Sequence, residues 1–225
     1  IIYIKHLKGA IQMIGDMQTW TPNVAGIIEH AREIHPKTEI ISRLVSGEIH
    51  RSNYENVCIR ARKLASALEK DGIQNGDVVA TLALNTYRHL EMYYGISGMG
   101  AVTHTLNFRL HPEQAVYIIN HAEDKMIFVE LPFVPILEAL QDNLKTVEKY
   151  VVLCEVEEMP KTSLKNVISY EEYIEDGDEN YKWPDLADDA ACALCYTSGT
   201  TGNPKGVLYS HKSNIIHAQA SLTAL

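Results

Sequence analysis

Residues 196–207 read Tyr-Thr-Ser-Gly-Thr-Thr-Gly-Asn-Pro-Lys-Gly-Val, the densest stretch of usable chemistry in the chain. Gly199, Gly202 and Gly206 let the backbone approach an anion closely, and consecutive N–H groups then form a concave donor surface. Thr197, Ser198, Thr200 and Thr201 add short hydroxyl donors, and Lys205 adds a full positive charge. Phosphate binding is the chemistry this composition suits. It is not a Walker A loop, in which the lysine follows a glycine and the chain opens directly into a helix. Lys205 follows Pro204 and precedes Gly206-Val207-Leu208-Tyr209, which reads as a short strand. Residues 190–196 are almost wholly apolar and suit a strand buried on both faces. The order is therefore strand, glycine loop, strand. A plain hairpin turn takes about two to five residues and does not account for this mixture.

The other candidates are weaker. Of the ten histidines, none lies in an H-E-x-x-H motif, and the spacing of His211 and His217 does not place them on one helix face. His104, His111 and His121 fall near predicted strand and helix ends, where capping and surface roles are expected. His211 follows the strand 207–210 and is placed to help position the loop. No Gly-x-Ser-x-Gly elbow surrounds Ser198, so serine-hydrolase chemistry is unsupported. Cys192 and Cys195 form a C-x-x-C pair, but on a buried strand they read as small apolar residues. Four cysteines in a chain this long do not make a disulfide framework, which leads us to expect a reducing, cytoplasmic compartment.

Composition narrows the classes further. A net charge of −9 lacks the basic patch of a nucleic-acid binder. No apolar run approaches the ~18 residues that span a bilayer, and the first residues lack the order of a signal peptide. Position 1 is isoleucine rather than methionine, so the first residues are not expected to be a native start.

The elements that must hold the loop follow from periodicity. Residues 1–20 show a mixed pattern and are expected to pack loosely. Thr21-Pro22 reads as a helix start, with Val24, Ile27, Ile28, Ala31 and Ile34 on one buried stripe and Glu29, Arg32 and Glu33 on the polar face. Two strands over 39–45 and 48–51 flank a Ser46-Gly47 turn. Ser52 and Glu55 read as a capping box for a helix burying Val57, Ala61, Leu64 and Leu68. Strands over 78–84, 101–106, 125–129 and 150–154 then alternate with helices over 86–97, 112–122 and 135–143. In the first of these helices Leu90, Tyr93 and Tyr94 share a side; in the second Ala115, Ile118, Ile119 and Ala122 are buried. Such alternation indicates an α/β fold, with mostly parallel sheets and flanking helices. Residues 21–170 are expected to form one α/β subdomain. The acidic stretch 171–189 reads as a solvated connector, since its spacing fits no EF-hand. Residues 190–225 form the strand, loop, strand and helix start of the next region.

The loop residues Thr197-Ser198-Gly199-Thr200-Thr201-Gly202-Asn203-Pro204-Lys205-Gly206 resemble the signature of the adenylate-forming (AMP-binding) superfamily. Val45-Ser46-Gly47-Glu48-Ile49-His50-Arg51, Asn85-Thr86-Tyr87-Arg88-His89-Leu90-Glu91, the run 98–107 and the run 112–124 resemble the medium- and long-chain fatty acyl-CoA synthetases within it. The similarity runs from about Trp20 to the end. One departure is Phe108, where these enzymes more often carry proline. The resemblance implies the N-terminal part of the large domain of an adenylate-forming enzyme. It further implies ATP, Mg2+ and CoA as co-substrates, a fatty acid as the acid, and a homodimer.

On the same resemblance, Thr197, Ser198, Gly199, Thr200, Thr201, Gly202 and Lys205 hold the ATP phosphates, and a hydroxyl from either Thr197 or Thr200 faces magnesium. The Tyr-Gly-x-Thr-Glu segment, the ribose-binding aspartate and the lysine of the small C-terminal domain come later in the family. No catalytic residue is therefore assigned within these residues, and the 225-residue stretch alone is expected to complete neither half-reaction. The chain stops inside a predicted helix, at 221–225, which leads us to expect a longer reading frame. Two alternatives share the loop: a non-catalytic phosphate-binding module, and another acid ligase or peptide-synthetase-type adenylation domain. The segments between Val45 and Asp124 favour the fatty acyl reading over the last.

Overall fold

The computed structural model describes residues 4–7, 10–13, 21–197 and 203–223. Two small antiparallel hairpins come first along the chain. β1 (Ile4–Leu7) pairs with β2 (Ala10–Met13), where the sequence pattern suggests no strand, and β3 (Glu39–Arg43) pairs with β4 (Ile49–Asn53). The helices are α1 (Val24–Ile34), α2 (Tyr54–Lys70), α3 (Tyr87–Gly98), α4 (Pro112–Ala122), α5 (Val134–Leu140), α6 (Tyr170–Glu175) and α7 (His211–Thr223). The remaining strands are β5 (Val78–Leu82), β6 (Val102–Thr105), β7 (Met126–Val129), β8 (Lys149–Val152), β9 (Val167–Ser169), β10 (Ala191–Thr197) and β11 (Lys205–Ser210). They form one seven-stranded sheet in the order β11-β10-β6-β5-β7-β8-β9. Every pair in it is parallel except β10–β11.

Strand alternation explains why the apolar runs are continuous. Val79, Met126, Phe128 and Val151 point to one face, against Leu64 and Leu68 of α2, Met92 and Ile96 of α3 and Tyr170 of α6. Their neighbours Ala80, Leu82, Ile127, Val129 and Val152 point to the other, against Ile118 and Ile119 of α4 and Val134 and Leu137 of α5. Both faces are covered, so β5, β7 and β8 are apolar at most successive positions, while β6 buries Thr103 and His104.

Four local expectations differ from the structure. The α1 cap is Asn23, whose side chain accepts from the Gly26 N–H, rather than Thr21; the α2 cap is Asn53, which accepts from the Asn56 N–H, rather than Ser52. Asparagine caps as well as serine or threonine, so register decided. In α1 the buried residues are Ala25 and Ile28, while Ile27 and Ile34 are exposed. Glu29, assigned to the polar face, turns inward. It accepts from Trp183 Nε1 at 2.7 Å and from Arg62 Nε at 2.8 Å, joining α1 to α2. In α3, Tyr93 lies outward, whereas Met92, Gly95, Ile96, Ser97 and Gly98 are buried. Gly95 sets this rotation: a Cβ there would stand 2.9 Å from the Ala61 carbonyl oxygen, so α3 presses its glycine edge onto α2.

The acidic stretch is the fourth difference. Glu172, Glu175, Asp176, Asp178, Glu179, Asp185 and Asp189 are exposed as expected, but Glu171 opens α6 and pairs with Arg60 and Arg88. Trp183 and the buried Leu186 then pack back over the glycine end of α3. The chain next returns to the same sheet, because β10 pairs with β6, Ala193 opposite Thr103 and Leu194 opposite His104.

Candidate phosphate-binding site

β10 runs parallel to β6, so its carboxyl end lies on the edge of the sheet where the parallel strands finish. Strand order reverses around β5, with β6 on one side and β7 on the other. In open α/β sheets ligands bind outside this carboxyl edge, beside such a reversal. The chain leaves the same carboxyl edge at β10, two strands from β5. Ser198, Gly199, Thr200, Thr201 and Gly202 lie outside the described residues. The two ends of the loop are described: Thr197 is the last residue of β10 and Lys205 the first of β11, and they stand opposite each other in register. Both are exposed. The expected strand, loop, strand order is therefore present, and it brings Thr197 and Lys205 together at the mouth.

Behind the mouth the next pair in register is Tyr196 and Gly206. Alternation places this pair on the opposite face of the hairpin from Thr197 and Lys205. Gly206 sits close under the Tyr196 ring: a Cβ would lie 3.2 Å from Tyr196 Cζ and 3.2 Å from Leu194 Cδ1, so those side chains would have to give by a few tenths of an ångström. The Tyr196 hydroxyl hydrogen-bonds Nδ1 of His121 at 2.6 Å, near the end of α4. Beside the Tyr196 ring, at 5.1 Å between centroids, lies His104 of β6. His104 is fully buried and its Nδ1–H donates to the Asp124 carboxylate at 2.8 Å. Burial holds the Asp124 carboxyl above its ordinary range, against the pull of that histidine.

His104 is thus a core residue rather than a capping or surface one, contrary to the sequence expectation, while His111 and His121 are exposed. The signal that points to it is alternation: Val102 and Leu106, two positions away on either side, are apolar. His211 is also buried, but its Nδ1 accepts from the Val24 N–H at 3.2 Å, so its contact is with the start of α1.

Cys192 and Cys195 do not make a metal pair. Asn214 Nδ2 donates to the Cys192 sulfur at 3.1 Å, while Cys195 sits 3.5 Å from the Thr105 hydroxyl. Burial pushes the Cys192 thiol up to about 11. Among the described residues no group of three histidine, cysteine or carboxylate side chains is placed to hold a metal ion.

An exposed lysine opposite an exposed hydroxyl suits phosphate oxygens. Of the two hydroxyls expected to face magnesium, Thr197 is exposed at the end of β10, and Thr200 lies outside the described residues.

The sequence pattern of the family described as AMP-binding enzyme matches residues 28–224. The chain belongs to that family. It is 45% identical over 209 residues to a medium-chain-fatty-acid–CoA ligase of Ectopseudomonas oleovorans, covering 93% of this chain and 38% of that ligase. It is 44% identical to a 3-methylmercaptopropionyl-CoA ligase of Ruegeria lacuscaerulensis, covering 94% of this chain and 39% of the relative. A long-chain-fatty-acid–CoA ligase of Thermus thermophilus is 41% identical, over 88% of this chain and 35% of its own length. The chain thus spans less than two-fifths of each of these relatives. Among solved structures, the anthranilate CoA ligase AuaEII, determined with anthranoyl-AMP, superposes with a TM-score of 0.79 at 25% identity, covering 88% of this chain and 36% of that one. No described helix is long and apolar enough to cross a membrane.

Proposed function

We propose that this chain is the phosphate-binding part of an ATP-dependent ligase that joins a medium- or long-chain fatty acid to CoA. The observation that carries the reading is the β10–β11 hairpin, which sets Lys205 opposite Thr197 at the carboxyl edge of the sheet. The similarity to fatty acid ligases over nine-tenths of the chain supports the choice of acid.

The chemistry asks little of the protein beyond charge and position. A carboxylate is a poor acyl donor until one oxygen becomes a good leaving group. Attack of the carboxylate oxygen on the α-phosphorus forms the acyl–phosphate bond and breaks the bond to the β-phosphate, releasing pyrophosphate. The thiolate of CoA then displaces AMP from the acyl carbon. Negative charge builds on the departing pyrophosphate, where Lys205, the loop hydroxyls and the loop N–H groups offset it. A magnesium ion bound with the phosphates would supply further neutralisation of the same charge.

The test is acid-dependent exchange of pyrophosphate into ATP by the full-length protein, run with octanoate, palmitate and 3-methylmercaptopropionate. Exchange driven by octanoate or palmitate is expected. Exchange driven by 3-methylmercaptopropionate alone would move the reading to a short thioether acid, which the Ruegeria relative favours. Exchange with none of the three would remove the fatty acid reading.

A further inference from the structure

We propose that Tyr196 and His121 are positioning residues for phosphate binding, their hydrogen bond acting as the strut that fixes the mouth of the loop; this rests on the phosphate-binding reading above. The Tyr196 ring occupies the space where Gly206 lacks a side chain, so it touches the strand that leaves the loop as well as belonging to the strand that enters it. Its hydroxyl reaches across to α4, an element outside the hairpin, at 2.6 Å from His121 Nδ1. The edge of the His121 ring meets the Tyr196 ring at 85° and 5.9 Å, so contact and hydrogen bond set one orientation.

The floor under Tyr196 is rigid. His104 cannot turn, because its Nδ1 bonds both Asp124 oxygens at 2.8 and 3.0 Å and neither residue has solvent exposure. The Asp124 carbonyl in turn accepts from the Thr146 hydroxyl at 2.9 Å. The other ring nitrogen, Nε2, is buried with no partner among the described residues. A buried polar atom left unpaired costs free energy, so the imidazole is held by its Nδ1 bond to Asp124 alone. Thr197 and Lys205 are the residues next to Tyr196 and Gly206 in the ladder. Fixing the inner pair therefore fixes the separation of the outer pair that meets the phosphates. A hairpin whose far strand lies on the sheet edge has no second neighbour to do this.

The experiment measures Mg-ATP dissociation constants by titration calorimetry on the full-length protein and on Tyr196→Phe, His121→Ala, the double variant and His121→Asn. Phenylalanine keeps the ring against Gly206, and His121 is exposed, so all four variants are expected to melt near the unaltered protein, which thermal denaturation checks. Each of the first two is expected to weaken ATP roughly fivefold, the worth of one hydrogen bond. The double variant is expected to lose no more than either single, because both remove the same bond. His121→Asn, whose amide nitrogen stands close to Nδ1, is expected to recover most of the loss. Unchanged affinity in both singles, or losses that multiply in the double variant, would overturn the strut. Because binding is read without any acid, failure of the exchange assay above leaves this test standing. Absence of ATP binding by the unaltered protein would instead sink the phosphate reading on which the strut depends.

Discussion

Arg60 of α2 and Glu171 of α6 form a two-pronged ion pair, with Nη1 and Nη2 at 2.9 and 3.0 Å from the two carboxylate oxygens, across 111 positions of sequence. The pair is the centre of a network. Arg88 of α3 donates Nε to the same Glu171 at 2.8 Å and Nη2 to Glu155 at 2.6 Å. Arg60 Nε reaches Glu91 of α3 at 2.8 Å, and Glu91 also accepts from the Tyr170 hydroxyl at 2.9 Å. Three helices are thereby tied on the face of the sheet opposite α4.

Glu171→Gln leaves two guanidinium groups short of their carboxylate in a largely buried place, and is expected to cost about 3 kcal/mol. Urea denaturation should show a lower midpoint with an unchanged slope. The pH dependence has a defined sign. Burial pushes the Glu171 carboxyl up, but Arg60 and Arg88 outweigh it and hold the group below its ordinary value. Its contribution is complete above about pH 4.5 and is lost as pH falls through the depressed value, so wild type and variant converge in acid.

Glu91 has the opposite sign. Burial pushes its carboxyl up to about 7, with Arg60 and Tyr170 pulling the other way. The stability this proton confers is full below about pH 4.5 and disappears as pH rises through 7. Relative to Glu91→Gln, the wild type should lose stability with a slope of at most ~1.4 kcal/mol per pH unit across that window. Parallel stability curves for the two proteins between pH 5 and 7.5 would show that Glu91 does not titrate there.

Gly95→Ala is expected to destabilise by about 1–3 kcal/mol through overpacking. The added methyl meets the Ala61 carbonyl and Leu64 Cδ2, each at 2.9 Å, and backbone yields less readily than a side chain. Thermal melting checks this; no change would mean that α3 slides on α2 without cost.

Lys205→Met tests the proposed phosphate role. Removing one charge aimed at a developing anion is expected to lower kcat/KM for ATP roughly a hundredfold in the full-length protein. Lys205 is exposed, so the melting midpoint should stay where it was. A fall in melting temperature with normal kinetics would reassign the residue to the hairpin.

The parallel core was legible in the sequence because strands buried on both faces leave long apolar runs, and β7, β8 and β10 each carry one. The loop was legible because glycine, hydroxyl and lysine are so concentrated there. What escaped was chemistry that depends on contacts between distant residues. Glu171 belongs by composition to an acidic stretch, and only the approach of Arg60 and Arg88 separates it from its solvated neighbours. Glu29 and His104 were hidden for the same reason: a polar residue on a buried face reads as an exception until its partner, Trp183 or Asp124, is in place. The α3 rotation was missed because its large side chains suggest an inner face, whereas its glycines form one.

The pairing of Ala193 with Thr103 also bears on the entropy of folding. β5, β6 and the helix between them are neighbours in sequence and close short loops. β10 joins β6 only after the chain has travelled through β7, β8 and β9, and the entropy of closing a loop grows with its length. The hairpin that presents Lys205 is thus joined to the sheet through the longest loop closure among its described strand pairs, and that pairing carries the largest loop-closure entropy in the sheet.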